Sequence, residues 1–286
     1  MALVPSHSIR WRRRLGRGLV YGLLIAGAVV MLIPFYWMVI SSLMTETEVL
    51  SYPPVWIPKV LRFRNYLETW QALPFTTFFR NTIVLTVGRL VPLLLSCSVV
   101  AFAFARLRAR GRNVLFVVML STMMLPFQVT IIPLYIAFAK IHWVNTFKPL
   151  IVPSFFGVPF YIFMLRQFFL GIPLELDESA RIDGASTFTI FWRIILPLSK
   201  PALAAMSIFV FMWSWNDFFL PLIYLQKTDM YPLALGLQLF RSYGEYFTRW
   251  EYIMAGSVAM AIPPLLVFFF SQRYFVQGVT LTGLKS

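Results

Sequence analysis

The sequence predicts an all-α membrane protein with six transmembrane helices. Of its 286 residues, 59% are hydrophobic and 13% are charged, and the mean hydropathy is +0.74. A helix needs about 20 apolar residues to cross a bilayer core, where it must satisfy its own backbone hydrogen bonds. Six runs meet this requirement: residues 19–40, 82–105, 114–138, 150–169, 202–224 and 252–275. They form one transmembrane domain, 19–275, between a basic segment, 1–18, and a tail, 276–286.

The net charge of +14 indicates orientation in a membrane and not nucleic-acid binding, because the basic residues lie beside the apolar runs. One cluster precedes the first run, and another fills the short turn after the second run. The positive-inside rule places both clusters in the cytoplasm. Six crossings then bring both termini and residues 173–201 to the same side. The clusters comprise Arg10, Arg12, Arg13, Arg14, Arg17, Arg106, Arg108, Arg110 and Arg112.

The residues that commonly build catalytic or metal sites are sparse. The single cysteine, Cys97, lies within the second run, so the sequence predicts neither a disulfide nor a cysteine-based metal site. His7 and His142 are expected on opposite sides of the membrane. The sequence contains no P-loop, no H-E-x-x-H and no G-x-S-x-G motif. We therefore expect no catalytic residue and no metal, and any energy source must come from a partner.

The first apolar run also has to be weighed against a cleavable secretory signal. It follows arginines, as a signal would, but it is longer than a typical signal core and no small-residue cleavage site follows it. We interpret it as a retained transmembrane helix.

Residues 173–201 form a charged insert between the fourth and fifth runs. Pro173 suits a first helical position, and the acidic residues after it suit the positive end of a helix. Asp183-Gly184 predicts a turn that closes this short helix. Ser186 or Thr187 is then expected to cap a second helix, which ends at Leu196-Pro197. Its apolar stripe comprises Phe188, Phe191, Trp192 and Ile195.

Two interpretations of the insert remain open on physical grounds. Its helices could lie on the bilayer surface as an amphipathic pair. A protein partner is favoured by the acidic first helix, which an anionic leaflet would repel. It is also favoured by Ser179, Ala180 and Ala185, small residues that permit close backbone approach.

Residues 178–185, E-S-A-R-I-D-G-A, followed by Phe191, Ile194 and Leu196-Pro197, resemble the E-A-A loop of ABC importer permeases. The chain departs from the family at Ser179, where alanine is usual. Further pieces resemble the carbohydrate-uptake, maltose-type branch, and in particular its second permease. They include Asn81, Ala101–Arg106, Met124-Leu125-Pro126, Ile132-Pro133-Leu134, Trp215-Asn216-Asp217-Phe218 and the tail from Gly278 to Lys285.

The resemblance implies a permease subunit of an ATP-binding-cassette sugar importer in the bacterial inner membrane, working by alternating access. Its implied partners are a related permease, two ATP-binding subunits and an extracytoplasmic sugar-binding protein. No cofactor would bind this chain, since ATP and Mg would bind the ATPase subunits. The insert would couple the chain to those subunits through Glu178, Ser179, Ala180, Asp183, Gly184 and Ala185.

The resemblance also implies that the tail contacts the ATPases through Gly278, Thr280, Thr282 and Gly283. By itself, the tail has too many glycines and threonines to predict a stable helix.

Polar residues inside apolar runs suggest a substrate path. The candidates are Gln128, Trp215, Asn216 and Asp217. A structural alternative is that Asn216 and Asp217 tie helices together, or that Asp217 pairs with Arg89. A stand-alone secondary transporter or channel is the alternative function, and it is disfavoured because deep ionisable residues are few.

Overall fold

The computed structural model describes the backbone of residues 6–241 and 248–282, and side chains within 17–241 and 248–271. These residues contain helices and connecting segments but no strand. The helices are α1 (Ser6–Ser41), α2 (Glu46–Val49), α3 (Arg64–Ala72), α4 (Phe75–Arg106), α5 (Arg112–Ser121), α6 (Phe127–Lys140), α7 (Lys148–Ile151), α8 (Pro159–Leu170), α9 (Glu175–Ile182), α10 (Thr187–Ile190), α11 (Leu196–Leu198), α12 (Lys200–Trp215), α13 (Phe219–Tyr224), α14 (Leu233–Gly236) and α15 (Trp250–Thr282).

The described helices match the six predicted apolar spans. Four helical segments are long and apolar enough to cross a bilayer, and the number rises to six if each of two bent helix pairs counts as one span. The all-α membrane fold is therefore confirmed, with two spans that are not straight. The four segments are Arg17–Ser41, Phe75–Arg106, Lys148–Leu170 and Trp250–Ser271, and the pairs are Arg112–Met124 with Phe127–Lys140 and Thr187–Leu198 with Lys200–Trp215.

The third predicted span, 114–138, contains Pro126 and Pro133, and a proline inside a helix kinks or breaks it. It breaks at Pro126, where α5 and α6 meet at 95°. Leu125 is extended (φ −76°, ψ 116°) because the ring of a following proline disfavours the helical conformation. Pro133 lies inside α6.

The fifth span was expected to be one helix over 202–224, and this expectation is wrong. Helix α12 ends at Trp215, and α13 begins at Phe219. Asp217 accounts for the restart, because its Oδ1 accepts a hydrogen bond from the backbone N–H of Leu220 at 3.2 Å. At its other end, α12 meets the last helix of the insert at an angle of 75°.

The chain divides into two compact units, of which the first comprises residues 1–71 and 240–259. Within it, Asn65 joins the end of α1 to the start of α3, since its Nδ2 donates to the carbonyls of Ser42 at 2.9 Å and Met44 at 2.8 Å. Arg249 forms a 2.6 Å ion pair with Glu251. Hydrogen bonds and ion pairs therefore stabilise the part of this unit that follows α1.

The second unit comprises residues 72–239 and 260–286. Its core is formed by α4, α8 and α12, together with the second half of the insert. Cys97, Leu165, Phe169 and Met206 are fully buried there. The insert is thus packed into this core and is not a free loop.

The tail was not expected to be helical, but α15 continues through Thr282. A helix that is already long adds further residues without a new nucleation cost, so glycine and threonine at its end do not stop it at once. The backbone of Gly278, Thr280 and Thr282 is therefore helical. Gly283 lies outside the described residues.

Candidate functional site

The first helix of the insert, α9, is anchored by a buried ion pair to the end of α4. Arg106 Nε lies 3.5 Å from Asp177 Oδ2, and both side chains are almost fully buried. Arg106 Nη2 also donates to the carbonyl of Ile172 at 2.7 Å. One arginine therefore holds both the segment that leads into α9 and the first turns of α9 itself.

The turn after α9 has the geometry of a Schellman cap. Gly184 adopts φ +80°, in the left-handed region that favours glycine. The N–H of Gly184 donates to the carbonyl of Arg181 at 3.0 Å, and the N–H of Ala185 donates to that of Ala180 at 2.8 Å. The predicted glycine turn is confirmed, and it reverses the chain within a few residues.

The second half of the insert starts at the predicted cap. Ser186 Oγ accepts a hydrogen bond from the N–H of Thr189 at 3.2 Å. The helix does not end at Leu196-Pro197. It passes through a π-helical turn, Phe191–Ile195, and continues to Leu198. Proline is tolerated at residue 197 because it lies near the start of a new α-helical segment, where its missing N–H is not needed.

The prediction that the apolar residues of this second half share a single face is wrong. Phe191 and Ile195 are buried in the core, and Phe191 lies 5.0 Å from Phe102 between ring centroids. Phe188 and Trp192 are 70% and 50% exposed and stack on each other. The π-helical turn widens the helix, so residues at regular α-helical spacing do not all share one side.

The exposed part of the insert surrounds its glycine turn. Ile182 is 88% exposed, although it lies outside the apolar spans. Of the six predicted coupling residues, Glu178, Ser179, Asp183 and Gly184 are exposed, whereas Ala180 and Ala185 are half-buried against the core. We name six of these exposed residues the insert tip, among which the exposed Ser179 and Arg181 also lie: Glu178, Ile182, Asp183, Gly184, Phe188 and Trp192. The insert thus has a fixed base and an exposed acidic and apolar tip.

The predicted path residues lie in different surroundings. Arg89 Nη1 pairs with Asp217 Oδ2 at 2.7 Å, as the structural alternative expected, and Arg89 Nε donates to the carbonyl of Leu150 at 2.8 Å. Trp215 is buried, and its Nε1 donates to the carbonyl of Met260 at 3.0 Å. The pair therefore ties α4 to the break between α12 and α13, next to α7.

Asn216 and Gln128 are exposed. Asn216 Nδ2 donates to the carbonyl of Met212 one turn earlier, at 2.8 Å. No hydrogen bond joins Gln128 to the other three candidates in the described part of the chain. Whether any of the four contacts a substrate stays a prediction, as does the proposed role of the tail.

The Arg106–Asp177 pair is the feature that sequence reasoning missed. Arg106 was assigned to the positive-inside pattern and Asp177 to the helix dipole. Seventy-one positions separate the two residues. The one available signal was that both are expected at the cytoplasmic ends of spans.

A protein-family model for the inner membrane component of binding-protein-dependent transport systems matches residues 98–281, which include the whole insert. The chain belongs to this family. One relative, the arabinooligosaccharides transport system permease protein AraQ of Halalkalibacterium halodurans, is 35% identical over 262 residues. That alignment covers 90% of this chain and 92% of the relative. The sn-glycerol-3-phosphate transport system permease protein UgpE of Yersinia enterocolitica is 32% identical, with 90% and 93% coverage.

The fold also matches a solved structure. A bacterial ABC transporter involved in the import of the acidic polysaccharide alginate contains a chain that aligns with a TM-score of 0.80. The match covers 96% of this chain and all of the other, at 24% identity. The protein is thus a multi-pass inner membrane permease subunit of an ABC importer. Membership of a binding-protein-dependent family disfavours the stand-alone transporter or channel.

Proposed function

We propose that this subunit imports a sugar or glycoside together with a related permease, two ATP-binding subunits and an extracytoplasmic sugar-binding protein. The substrate class is supported by the relatives, whose names specify arabinooligosaccharides and diacetylchitobiose among other solutes. Both termini and the insert lie in the cytoplasm in this proposal. The arginines in the first turns of α1, before its apolar run, and those at the α4–α5 turn support that orientation.

The insert couples the two permeases to ATP hydrolysis. The observation that carries this proposal is the combination of a fixed base with an exposed tip. A docked partner that moves the tip also moves α4, because Arg106 and Asp177 join the two without a flexible linker. Glu178 pairs with a basic residue of the ATPase, and the apolar side chains of Ile182, Phe188 and Trp192 become buried in its surface.

ATP and Mg bind the partner subunits, and this chain supplies no ATPase site of its own. The sequence contains no P-loop, and within the described ranges no three His, Cys, Asp or Glu residues are grouped as metal ligands would be. The end of α15, including Gly278, Thr280 and Thr282, and Gly283 beyond it contact the ATPase subunits.

The path is proposed to include the two exposed candidates. Asn216 and Gln128 offer amide groups to sugar hydroxyls. Trp215 and Asp217 hold the path residues in place without contacting substrate. Trp215 is packed and hydrogen-bonded to Met260, and Asp217 is paired with Arg89.

Charge reversal at the insert tip tests the coupling. Glu178→Arg should lower ATPase activity stimulated by the loaded binding protein at least about tenfold, because a docked charge pair becomes a repulsion. The assay uses the whole importer, co-expressed from its operon and reconstituted in proteoliposomes. Glu175→Arg is the matched control, since Glu175 is exposed one turn earlier on α9. The coupling role is wrong if Glu178→Arg keeps both subunit assembly and stimulated activity.

A further inference from the structure

The turn between α4 and α5 holds a strong positive charge that the transport function does not use. It carries Arg108, Arg110 and Arg112 within five residues. These arginines help to line a surface cavity of about 580 Å³ formed by residues 108–114. Arg108 and Arg110 are exposed, whereas Arg112 is half-buried and donates from Nη1 to the carbonyl of Leu107 at 2.9 Å.

No acidic side chain neutralises this turn in the described part of the chain. The ion pairs there involve other arginines, such as Arg62 and Arg64, which share Glu68 at 3.6 and 3.0 Å. Arg108, Arg110 and Arg112 form none. Uncompensated positive charges raise the local electrostatic potential, so an anion that enters the cavity lowers the electrostatic energy of the turn.

A fourth cation, Arg166, strengthens this field from α8. Its Nε donates to the carbonyl of Phe104 at 3.2 Å, and its guanidinium lies 4.2 Å from the ring centroid of Phe116. These contacts fix Arg166 within electrostatic range of Arg112. The side chain does not line the cavity, but its charge adds to the repulsion at the turn.

The backbone of the turn adds donors to the side chains. Gly111 occupies the N-cap of α5 with φ +79°, and no side chain there accepts a hydrogen bond from the first turn. A ten-residue helix presents partial positive charge at such an end, which favours anions and in particular phosphate groups.

The surface next to the cavity indicates where the anion comes from. Immediately after the turn, α5 exposes four aliphatic side chains by 57% or more, and it belongs to the bent third span. Exposed aliphatic side chains on a membrane span suit hydrocarbon, and an arginine-rich turn at the end of that span suits the level of the lipid headgroups. The four are Val114, Leu115, Val117 and Val118.

We propose that the α4–α5 turn binds the phosphate headgroup of an anionic phospholipid, with its acyl chains against the exposed face of α5. Arg108, Arg110 and Arg112 contact the phosphate, while Gly111 lets the lipid approach the backbone. The bound lipid neutralises the turn and covers the junction of α4, α5 and α8.

Native mass spectrometry of the purified importer, titrated with phosphatidylglycerol or phosphatidylcholine, tests this proposal. The wild type should bind phosphatidylglycerol in preference to phosphatidylcholine. Each arginine should contribute about fivefold to phosphatidylglycerol affinity. Replacing Arg108, Arg110 and Arg112 together by glutamine should therefore weaken phosphatidylglycerol binding about 100-fold. The triple lysine variant, which keeps the charge, should stay close to the wild type. If the glutamine triple does not assemble, Arg110→Gln alone should show the fivefold loss.

The matched control replaces Lys59, Arg62 and Arg64 by glutamine, which removes the same charge from a segment that contains Glu68. Its phosphatidylglycerol affinity should equal that of the wild type. Equal lipid binding by the wild type and the glutamine triple overturns the proposal, as does an equal loss in the control. Displacement of the lipid by inorganic phosphate at matched concentration would show a free-anion site instead. Loss of ATPase subunits with unchanged lipid binding would show a protein-docking surface.

Discussion

Removing the charge of Asp177 should loosen the insert from the bundle. Asp177→Ala leaves Arg106 buried with one hydrogen bond, from Nη2 to the carbonyl of Ile172. Breaking a buried ion pair typically costs about 3–5 kcal/mol, because the remaining charge is uncompensated. The 3.5 Å separation and the unpartnered Asp177 Oδ1 and Arg106 Nε place this pair at the lower end, near about 3 kcal/mol.

A double variant that lacks both charges separates this pairing from general packing. Combining Asp177→Leu with Arg106→Met removes both charges, and such replacements are often neutral. The assay is thermal unfolding of the purified protein in detergent, together with binding-protein-stimulated ATPase activity of the whole importer. Asp177→Ala should lower the midpoint of thermal unfolding by about 6 °C and reduce the stimulation of ATPase activity by the binding protein. The double variant should recover the stability. If Asp177→Ala unfolds at the same temperature as the wild type, or if the double variant is as unstable as the single one, the ion pair does not anchor the insert.

Four further variants, two at Gly184 and two at the predicted path residues, test the turn and the path. Gly184→Ala should destabilise the insert by about 1 kcal/mol, because alanine resists a φ of +80°. Gly184→Asn should cost less, because asparagine tolerates this conformation better. The asparagine variant should therefore keep more binding-protein-stimulated ATPase activity than the alanine variant. Equal stimulation would contradict the Schellman geometry. Asp217→Asn should lower the free energy of unfolding by about 3 kcal/mol by leaving Arg89 unpaired, whereas Asn216→Ala should change stability little and instead weaken substrate uptake. A stable Asp217→Asn variant would contradict the structural role of the pair.

Local rules predicted the features of the insert that depend on neighbouring residues. Gly184 forms the left-handed turn, and Ser186 caps the next helix, because both conformations are determined within four residues of chain. The six apolar spans follow in the same way from length and composition. These features need no knowledge of what packs against them.

Features that depend on tertiary contacts were not predictable. Arg106 and Asp177 meet because the end of α4 lies beside the start of α9, which no local pattern encodes. The pairing of Asp217 with Arg89 joins residues that are 128 positions apart in the chain. A regular period puts Phe188 on one apolar stripe with Phe191 and Ile195, and the π-helical turn changes that period.

We expect an ATPase subunit to cover the insert tip from the cytoplasm. Ile182→Cys tests it directly, because Ile182 is 88% exposed and the native Cys97 is buried, so a membrane-impermeant maleimide labels the new thiol selectively. In inside-out vesicles, the variant should be labelled when expressed without ATPase subunits and protected when they are assembled. Labelling only from the outside, or equal labelling with and without the ATPase subunits, would contradict the claim.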